Sequence, residues 1–300
     1  MKGNDFSQSM QHRLWRSMLF VPAHMDKFVD KAHTRSADAV ILDLEDSIPL
    51  AEKENARARV ATAAKKVSKN GADVLVRINS SWRMAIQDLE AVVVNSVTAV
   101  VIPKVSSAEH LQFVSEVIDE LESERGMVLG HTKLVALIES PGALAKLESI
   151  AQATPRLLAM TLGTEDFSMA TGMQPTAESL LFPSQQLLFA ARSANLMPLG
   201  FIGSIADYSD IESFKETIVR SRNLGFVGGF CIHPAQVLVM NEAFSPSAEE
   251  INTARDLLAA YQQTLSKGLG VFEFKGKMVD LPVVARAKQL IRSAKLIAGK

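Results

Sequence analysis

The sequence predicts a (β/α)₈ barrel. Short apolar, β-rich segments recur eight times along the chain, and most are continuous apolar runs, the pattern of parallel strands buried on both faces. Segments with helical spacing separate them, and a length of 300 residues suits one such barrel.

The eight segments are RSMLFVP (16–22), AVILDLE (39–45), VLVRIN (74–79), AVVIPK (99–104), LVALIE (134–139), LLAMTLG (157–163), PLGFIG (198–203) and GFCIHP (229–234). Between the second and third, AEKENARARVATAAKKV (51–67) is rich in good helix formers. After the fourth, SAEHLQFVSEVIDELESE (107–124) reads the same way, with Ser106 or Ser107 as its N-cap. The competing architecture is a doubly wound open sheet, but no strand is followed by a glycine-rich dinucleotide fingerprint. Residues 1–12 read as a loose leader, 13–245 as the barrel and 246–300 as an extension. That extension begins with a helix (246–265), continues through a glycine-punctuated hairpin or lid (267–280) and ends in a helix (282–299). A barrel needs none of this tail, which suggests that it covers a site or a neighbouring subunit.

Composition narrows the function. A net charge of −1 with scattered basic residues leaves no footprint for nucleic acid or membrane binding. No apolar run approaches the ~20 residues that cross a bilayer. The single cysteine, Cys231, rules out an intrachain disulfide and suits a reducing, cytoplasmic setting. It lies within an apolar strand and reads as packing, not as a nucleophile.

Barrel chemistry sits where the strands end. Here the ends carry Pro22, His24 and Lys27; Asp43, Glu45 and Asp46; Arg77 and Asn79; Lys104; Glu139; Thr164, Glu165 and Asp166; and His233. Any one of these reads as a cap or a solvated loop charge, but together they converge on one mouth. Crowded carboxylates need a compensating cation. Hard oxygen donors without histidine or cysteine clusters favour Mg²⁺, with Glu139 and Asp166 on adjacent strands as the natural pair. Arg77 suits a bidentate hold on a substrate carboxylate. His233 is either a base or a cap, and His12, His33, His110 and His131 read as surface residues.

In order along the chain, RSMLFVPA, DAVILDLEDSIPLAEKENAR, VRIN, VVIPKV, ALIESPGAL, GTEDFSMATGM, IHPAQV and GKMVDLPVV resemble the HpcH/HpaI aldolase and citrate lyase β-subunit-like superfamily, over about residues 13–298. Near relatives in that superfamily are malyl-CoA and citramalyl-CoA lyases. The resemblance implies Mg²⁺ on Glu139 and Asp166, a keto-acid carboxylate on Arg77, and CoA-ester contacts from Pro22 to Lys27 and at Ile232 and His233. It also implies an acid/base aspartate, Asp280, on a C-terminal lid that often reaches a neighbour's site, in a trimer or hexamer. Glu45 and Asp46 would order metal-bound water or a neighbouring basic residue. Three places depart from the pattern: Ala23 where glycine is usual, GSIADYSD (203–210), and SMATGM (168–173) without its usual acid.

The expected activity is Mg²⁺-dependent cleavage of a short 3-hydroxyacyl-CoA to acetyl-CoA and pyruvate or glyoxylate. One alternative is a citrate lyase β subunit acting on a carrier-bound citryl thioester, for which only a short tail is expected. The other is a catalytically silent barrel that binds CoA esters.

Overall fold

The computed structural model describes residues 13–205, 210–266 and 271–299, so the expected leader (1–12) lies outside the described residues. Eight parallel strands follow one another: β1 (Ser17–Pro22), β2 (Ala39–Asp43), β3 (Asp73–Arg77), β4 (Ala99–Ile102), β5 (Lys133–Ile138), β6 (Leu157–Leu162), β7 (Met197–Leu199) and β8 (Gly229–Cys231). They hydrogen-bond in the order β7-β6-β5-β4-β3-β2-β1-β8. A parallel bridge from Leu199 to Gly228 closes the ring, with the Gly200 amide donating to the Gly228 carbonyl at 2.8 Å.

The strands are legible because they are buried on both faces and almost wholly apolar, Ser17 and Thr161 being buried polar exceptions, but the last two are shorter than expected. β7 stops at Leu199 because Gly200 takes a φ of +124°. β8 stops at Cys231 because the amides of Ile232 and His233 turn away to Gln236 Oε1, at 2.9 and 3.0 Å. Gly228 lies at the seam, where a Cβ would fall 1.7 Å from the Trp15 carbonyl oxygen, so no side chain fits.

Two cores divide the barrel. The larger lies between strands and outer helices, where Ala56, Val60, Ala64 and Val67 of the helix Lys53–Val67 are buried. That helix starts two residues later than expected, after a single tight turn, Leu50–Glu52. Ser107 stands at the start of Ala108–Glu124 but makes no side-chain cap bond. The smaller core fills the barrel itself, with Met18, Ile41, Leu75, Val101, Val135, Leu137 and Phe230. Alternate residues of a strand share a face, so the same parity, continued to the strand ends, turns Phe20, Asp43, Arg77 and Glu139 inward above that core. Register then levels three of the ends, pairing Pro22 with Asp43 and Asp43 with Arg77.

Residues Ser245–Lys300 form a second compact unit, apart from Met1–Phe244. It holds the helices Ala248–Ser266 and Leu281–Ala298 and an antiparallel hairpin, β9 (Phe272–Phe274) and β10 (Lys277–Val279). The turn uses Lys275 and Gly276, both at positive φ, as a two-residue hairpin demands. Its own small core includes Leu257, Tyr261, Val279 and Val284, with Phe272 packed against it. The first part of the expected lid, 267–270, lies outside the described residues.

Candidate active site at the mouth of the barrel

A cavity of about 520 Å³ opens at the C-terminal ends of the strands. Of the residues expected to form the site, Pro22, Asp46, Arg77, Glu139, Asp166 and Ile232 line it. Its base is apolar: Phe20 and Phe230 meet edge to face at 5.2 Å, beside Leu137.

Asp43 holds Arg77 in place. Arg77 donates through Nε to Asp43 Oδ1 at 2.7 Å and through Nη2 to Oδ2 at 2.9 Å, while its guanidinium lies 4.8 Å over the Phe20 ring. Asp43 also accepts the amides of Glu45 and Ser47. Burial raises the Asp43 carboxyl, but the bonds and charge of Arg77 outweigh burial and hold it below its ordinary value. The bidentate fork assigned to a substrate carboxylate is therefore already spent on Asp43. What Arg77 offers elsewhere is Nη1, 3.0 Å from Glu45 and 3.4 Å from Asp46.

Glu139 and Glu45 are less well compensated. Glu139 is buried, and burial, reinforced by repulsion from Asp166 and Glu45, pushes its carboxyl up to about 8 against the pull of the Lys104 amide. Burial likewise pushes Glu45 up to about 7, although Arg77 opposes it. Among the described residues neither buried Glu45 oxygen makes a hydrogen bond; the ion partners of Glu45 are Arg77 at 3.0 Å and the Lys104 ammonium at 3.7 Å. A cation in this mouth would relieve every one of these costs.

Lys53 anchors the Glu45–Asp46 loop from below, donating to the carbonyls of Leu44 and Glu45 at 2.7 and 2.6 Å and to Asn79 Oδ1 at 2.7 Å. Asn79 is fixed in turn by the fully buried Asp88, which Arg57 bridges at 2.5 Å. Lys53 and Arg57, four apart on one helix face, explain the K-x-x-A-R spacing after ILDLED. The segments IESP and IHPAQ are caps. Ser140 accepts from the Ala143 amide, and Gln236, itself buried, also reaches the Ile205 carbonyl.

Two expected site residues, Lys27 and His233, do not line the cavity, and a third, Asp280, belongs to the other unit. Lys27 is exposed on the helix Asp26–Ala32, its ammonium 5.9 Å from the Phe28 ring. His233 caps the helix Pro234–Ala243, its Nδ1 accepting from the Ala235 amide at 3.2 Å, so the cap reading accounts for its geometry. Asp280 belongs to the second unit, exposed, where it accepts from the Val283 amide and caps Leu281–Ala298. His33, His110 and His131 are half-buried rather than surface residues; His110 packs on Trp82 at 4.8 Å. Cys231 is fully buried, and burial raises its thiol far above the ordinary range. Sequence reading placed Asp43 and Lys104 at the mouth without assigning either a partner, and it did not single out Lys53 or Gly163. Strand parity was a signal for Asp43, and helix spacing for Lys53.

Fold and site together define a parallel barrel whose mouth gathers oxygen donors around one fixed arginine. Within that class, residues 16–234 match the HpcH/HpaI aldolase/citrate lyase family, and the chain belongs to it. It is 33% identical to a citrate lyase subunit beta from Leuconostoc mesenteroides subsp. cremoris, over 94% of each chain. It is 32% identical to an L-malyl-CoA/beta-methylmalyl-CoA lyase from Cereibacter sphaeroides, over 95% of this chain and 96% of that one. Among solved structures it resembles CitE from Mycobacterium tuberculosis in complex with magnesium, acetoacetate and coenzyme A, at TM-score 0.73 and 28% identity, covering 93% of this chain and 97% of that one. Among the described residues, no helix is long and apolar enough to cross a membrane.

Proposed function

We propose that this protein is a Mg²⁺-dependent carbon–carbon lyase that cleaves a short 3-hydroxyacyl-CoA, of the citramalyl-CoA or malyl-CoA type, to acetyl-CoA and a 2-oxo acid. The observation that carries the reading is the pairing of Glu139 and Asp166 with Arg77 around one cavity. The M. tuberculosis relative holds magnesium, an oxo acid and CoA together, and the C. sphaeroides relative is a CoA-ester lyase.

The donors suit the ion: all are oxygens, and Glu139 is buried opposite Asp166 with no cation bonded to it. Glu139 and Asp166 would hold Mg²⁺, which when bound supplies Lewis-acid polarisation of the oxygen that becomes the ketone. Arg77 Nη1, steadied by Asp43 and Phe20, orients the substrate carboxylate. In the reaction the hydroxyl loses its proton, the bond between C2 and C3 breaks, C3 becomes the carbonyl carbon of pyruvate or glyoxylate, and the electron pair stays on C2 as the acetyl-CoA enolate. Proton delivery to C2 completes the turnover. We assign that proton to Asp280, brought by the hairpin unit of a neighbouring subunit in a homo-oligomer. Pro22 and Ile232 border the path of the CoA ester.

The test is Mg²⁺-dependent release of acetyl-CoA from synthetic citramalyl- and malyl-CoA, or of propionyl-CoA from methylmalyl-CoA, with pyruvate or glyoxylate formed in step. Failure on all three would sink the reading. Asp280→Asn should lower kcat by ~10²–10⁴-fold at unchanged stability, because asparagine caps as well as aspartate. Full activity would leave Asp280 a cap only.

The second reading, a citrate lyase β subunit, is favoured by the Leuconostoc relative. The C-terminal tail does not separate the two readings as expected, because that relative matches over 94% of both chains. Charge separates them better. A citryl ester carries one more free carboxylate than a citramalyl or malyl ester, and Arg77 is the lone cationic side chain among the described residues lining the cavity, against Asp43, Asp46, Glu139, Glu165 and Asp166.

A further inference from the structure

We infer that Glu139 is aimed by two features of the backbone, the main-chain amide of Lys104 on one side and the bare Cα of Gly163 on the other, which together leave one of its carboxylate oxygens turned to the cavity. The inference rests on the assignment of Glu139 as a metal ligand.

Glu139 directly follows β5, whose two neighbours in the ring are β4 and β6. Just beyond β4, Lys104 leaves the extended conformation at a φ of +50°. A lysine gains nothing from left-handed backbone, and such strain persists only where its surroundings enforce it. Its result is visible here: the Lys104 amide donates to Glu139 Oε2 at 2.6 Å, a short charge-assisted bond. The chain then rejoins the sheet, with the Val105 amide on the Leu137 carbonyl at 3.2 Å. The kink therefore presents one amide to one carboxylate.

On the far side, just beyond β6, Gly163 is tied to β5 through its amide, which donates to the Ile138 carbonyl at 2.9 Å. Its φ of −80° is open to any residue, so space and not conformation calls for glycine. A Cβ there would lie 2.5 Å from Glu139 Cγ and 2.8 Å from Oε1. The stem of Glu139 lies flat on that bare Cα. Any side chain at 163 would push the carboxylate off its seat and off the Lys104 amide together.

The segment GTED thus makes two contributions to one place: Gly163 gives Glu139 its room, and Asp166, three residues on, is the second carboxylate. Among the described residues, Glu139 makes no other hydrogen bond, so Oε2 is committed and Oε1 is the oxygen left for an ion.

The experiment uses the metal-free full-length protein and Mn²⁺ as probe, with affinity read by calorimetry and by the free-Mn²⁺ paramagnetic signal. Gly163→Ala should bind Mn²⁺ about 10- to 100-fold more weakly, the usual cost of disturbing a ligand's support. Lys104→Gly keeps the amide and adopts positive φ freely, so its affinity should stay within about threefold of the parent. Lys104→Val keeps the amide but resists positive φ, and should lose about tenfold or more. Gly163→Ala binding within about twofold of the parent would overturn the clamp, as would Lys104→Gly falling as far as Lys104→Val, since the loss would then not follow the positive φ. If Gly163→Ala fails to fold, the Lys104 pair decides. Binding lost in Glu139→Gln but intact in Gly163→Ala sinks the clamp alone. A parent protein that takes up no Mn²⁺ sinks the metal assignment and the clamp with it.

Discussion

The two ends of the barrel treat a buried glutamate in opposite ways. At the floor, Glu122 is fully buried and accepts from Arg156 Nη1 and Nη2 at 3.0 and 2.6 Å and from the amides of Gly130 and Thr132 at 2.7 and 2.6 Å. Burial raises its carboxyl, but these bonds prevail and hold it near 2. Asp119 completes the hold on Arg156. At the mouth, Glu139 accepts one amide, faces other carboxylates and is pushed up to about 8. Burial is common to both; partners decide the sign. A carboxylate with all its partners inside the protein serves the fold, and one left wanting a cation is available to a ligand.

The sharpest way to break this comparison is to neutralise each glutamate. Glu139→Gln should cost about 10³-fold or more in metal-dependent turnover, since it removes the charge that would hold the ion. The same change should raise the melting temperature of the metal-free protein slightly, because glutamine can still accept the Lys104 amide without repelling Asp166. Equal turnover at saturating Mg²⁺, or a large loss of stability, would erase the distinction. Asp166→Asn should likewise abolish turnover while leaving the fold intact.

Glu122→Gln is the converse. Removing one partner of a buried pair costs about 3–5 kcal/mol, which denaturant titration reads directly, while kcat of the surviving folded protein should be unchanged. The pH dependence follows from the same carboxyl. Its folded value near 2 lies below its ordinary 4.5, so its contribution, of order 3 kcal/mol, is complete above about pH 4.5 and lost as pH falls towards 2. The difference in unfolding free energy between parent and Glu122→Gln should therefore shrink over that window. A constant difference from pH 6 to pH 2 would refute it.

Two smaller effects sharpen the picture at the mouth. Arg77→Lys keeps the charge but cannot span both oxygens of Asp43 and still reach the cavity, so kcat/KM for cleavage should fall by about 1.5–3 kcal/mol of transition-state stabilisation. An unchanged kcat/KM would mean that Arg77 orients no substrate. Lys53→Met strands three acceptors beneath the Glu45–Asp46 loop and should cost about 1–2 kcal/mol of stability. Little or no loss on thermal unfolding would show that water replaces the ammonium.

Much of the barrel was legible because a strand buried on both faces is apolar along nearly all its length, and these runs are, with Ser17 and Thr161 as exceptions. The carboxylates of the mouth stood out for the same reason, as charges that end apolar runs. What the residues did not disclose lies in the backbone. Nothing in VVIPKV says that Lys104 turns left-handed, and nothing in GTED says that a glutamate stem needs the room at Gly163. The early stops of β7 and β8 are of this kind, set by a glycine φ and by Gln236 drawing amides out of the ladder. The floor pair escaped notice because Glu122 and Arg156 lie 34 residues apart and meet only when β5 and β6 align. His233, left open between base and cap, caps a helix in the fold, and so does Asp280, a contact that leaves its proposed role as proton donor to the Asp280→Asn test.

The seam between β7 and β8 adds a consequence of another kind. A cask is as tight as its last joint, and this one is closed by three-residue staves meeting at the Leu199–Gly228 bridge. Local opening favours the stretch with fewest bonds to break. Deuterium should therefore enter at the amides of Gly200 and Val227 well before it reaches the long β5–β6 joint. Gly200 and Phe201 also line the cavity, so the joint that breathes most easily would be the one beside the substrate.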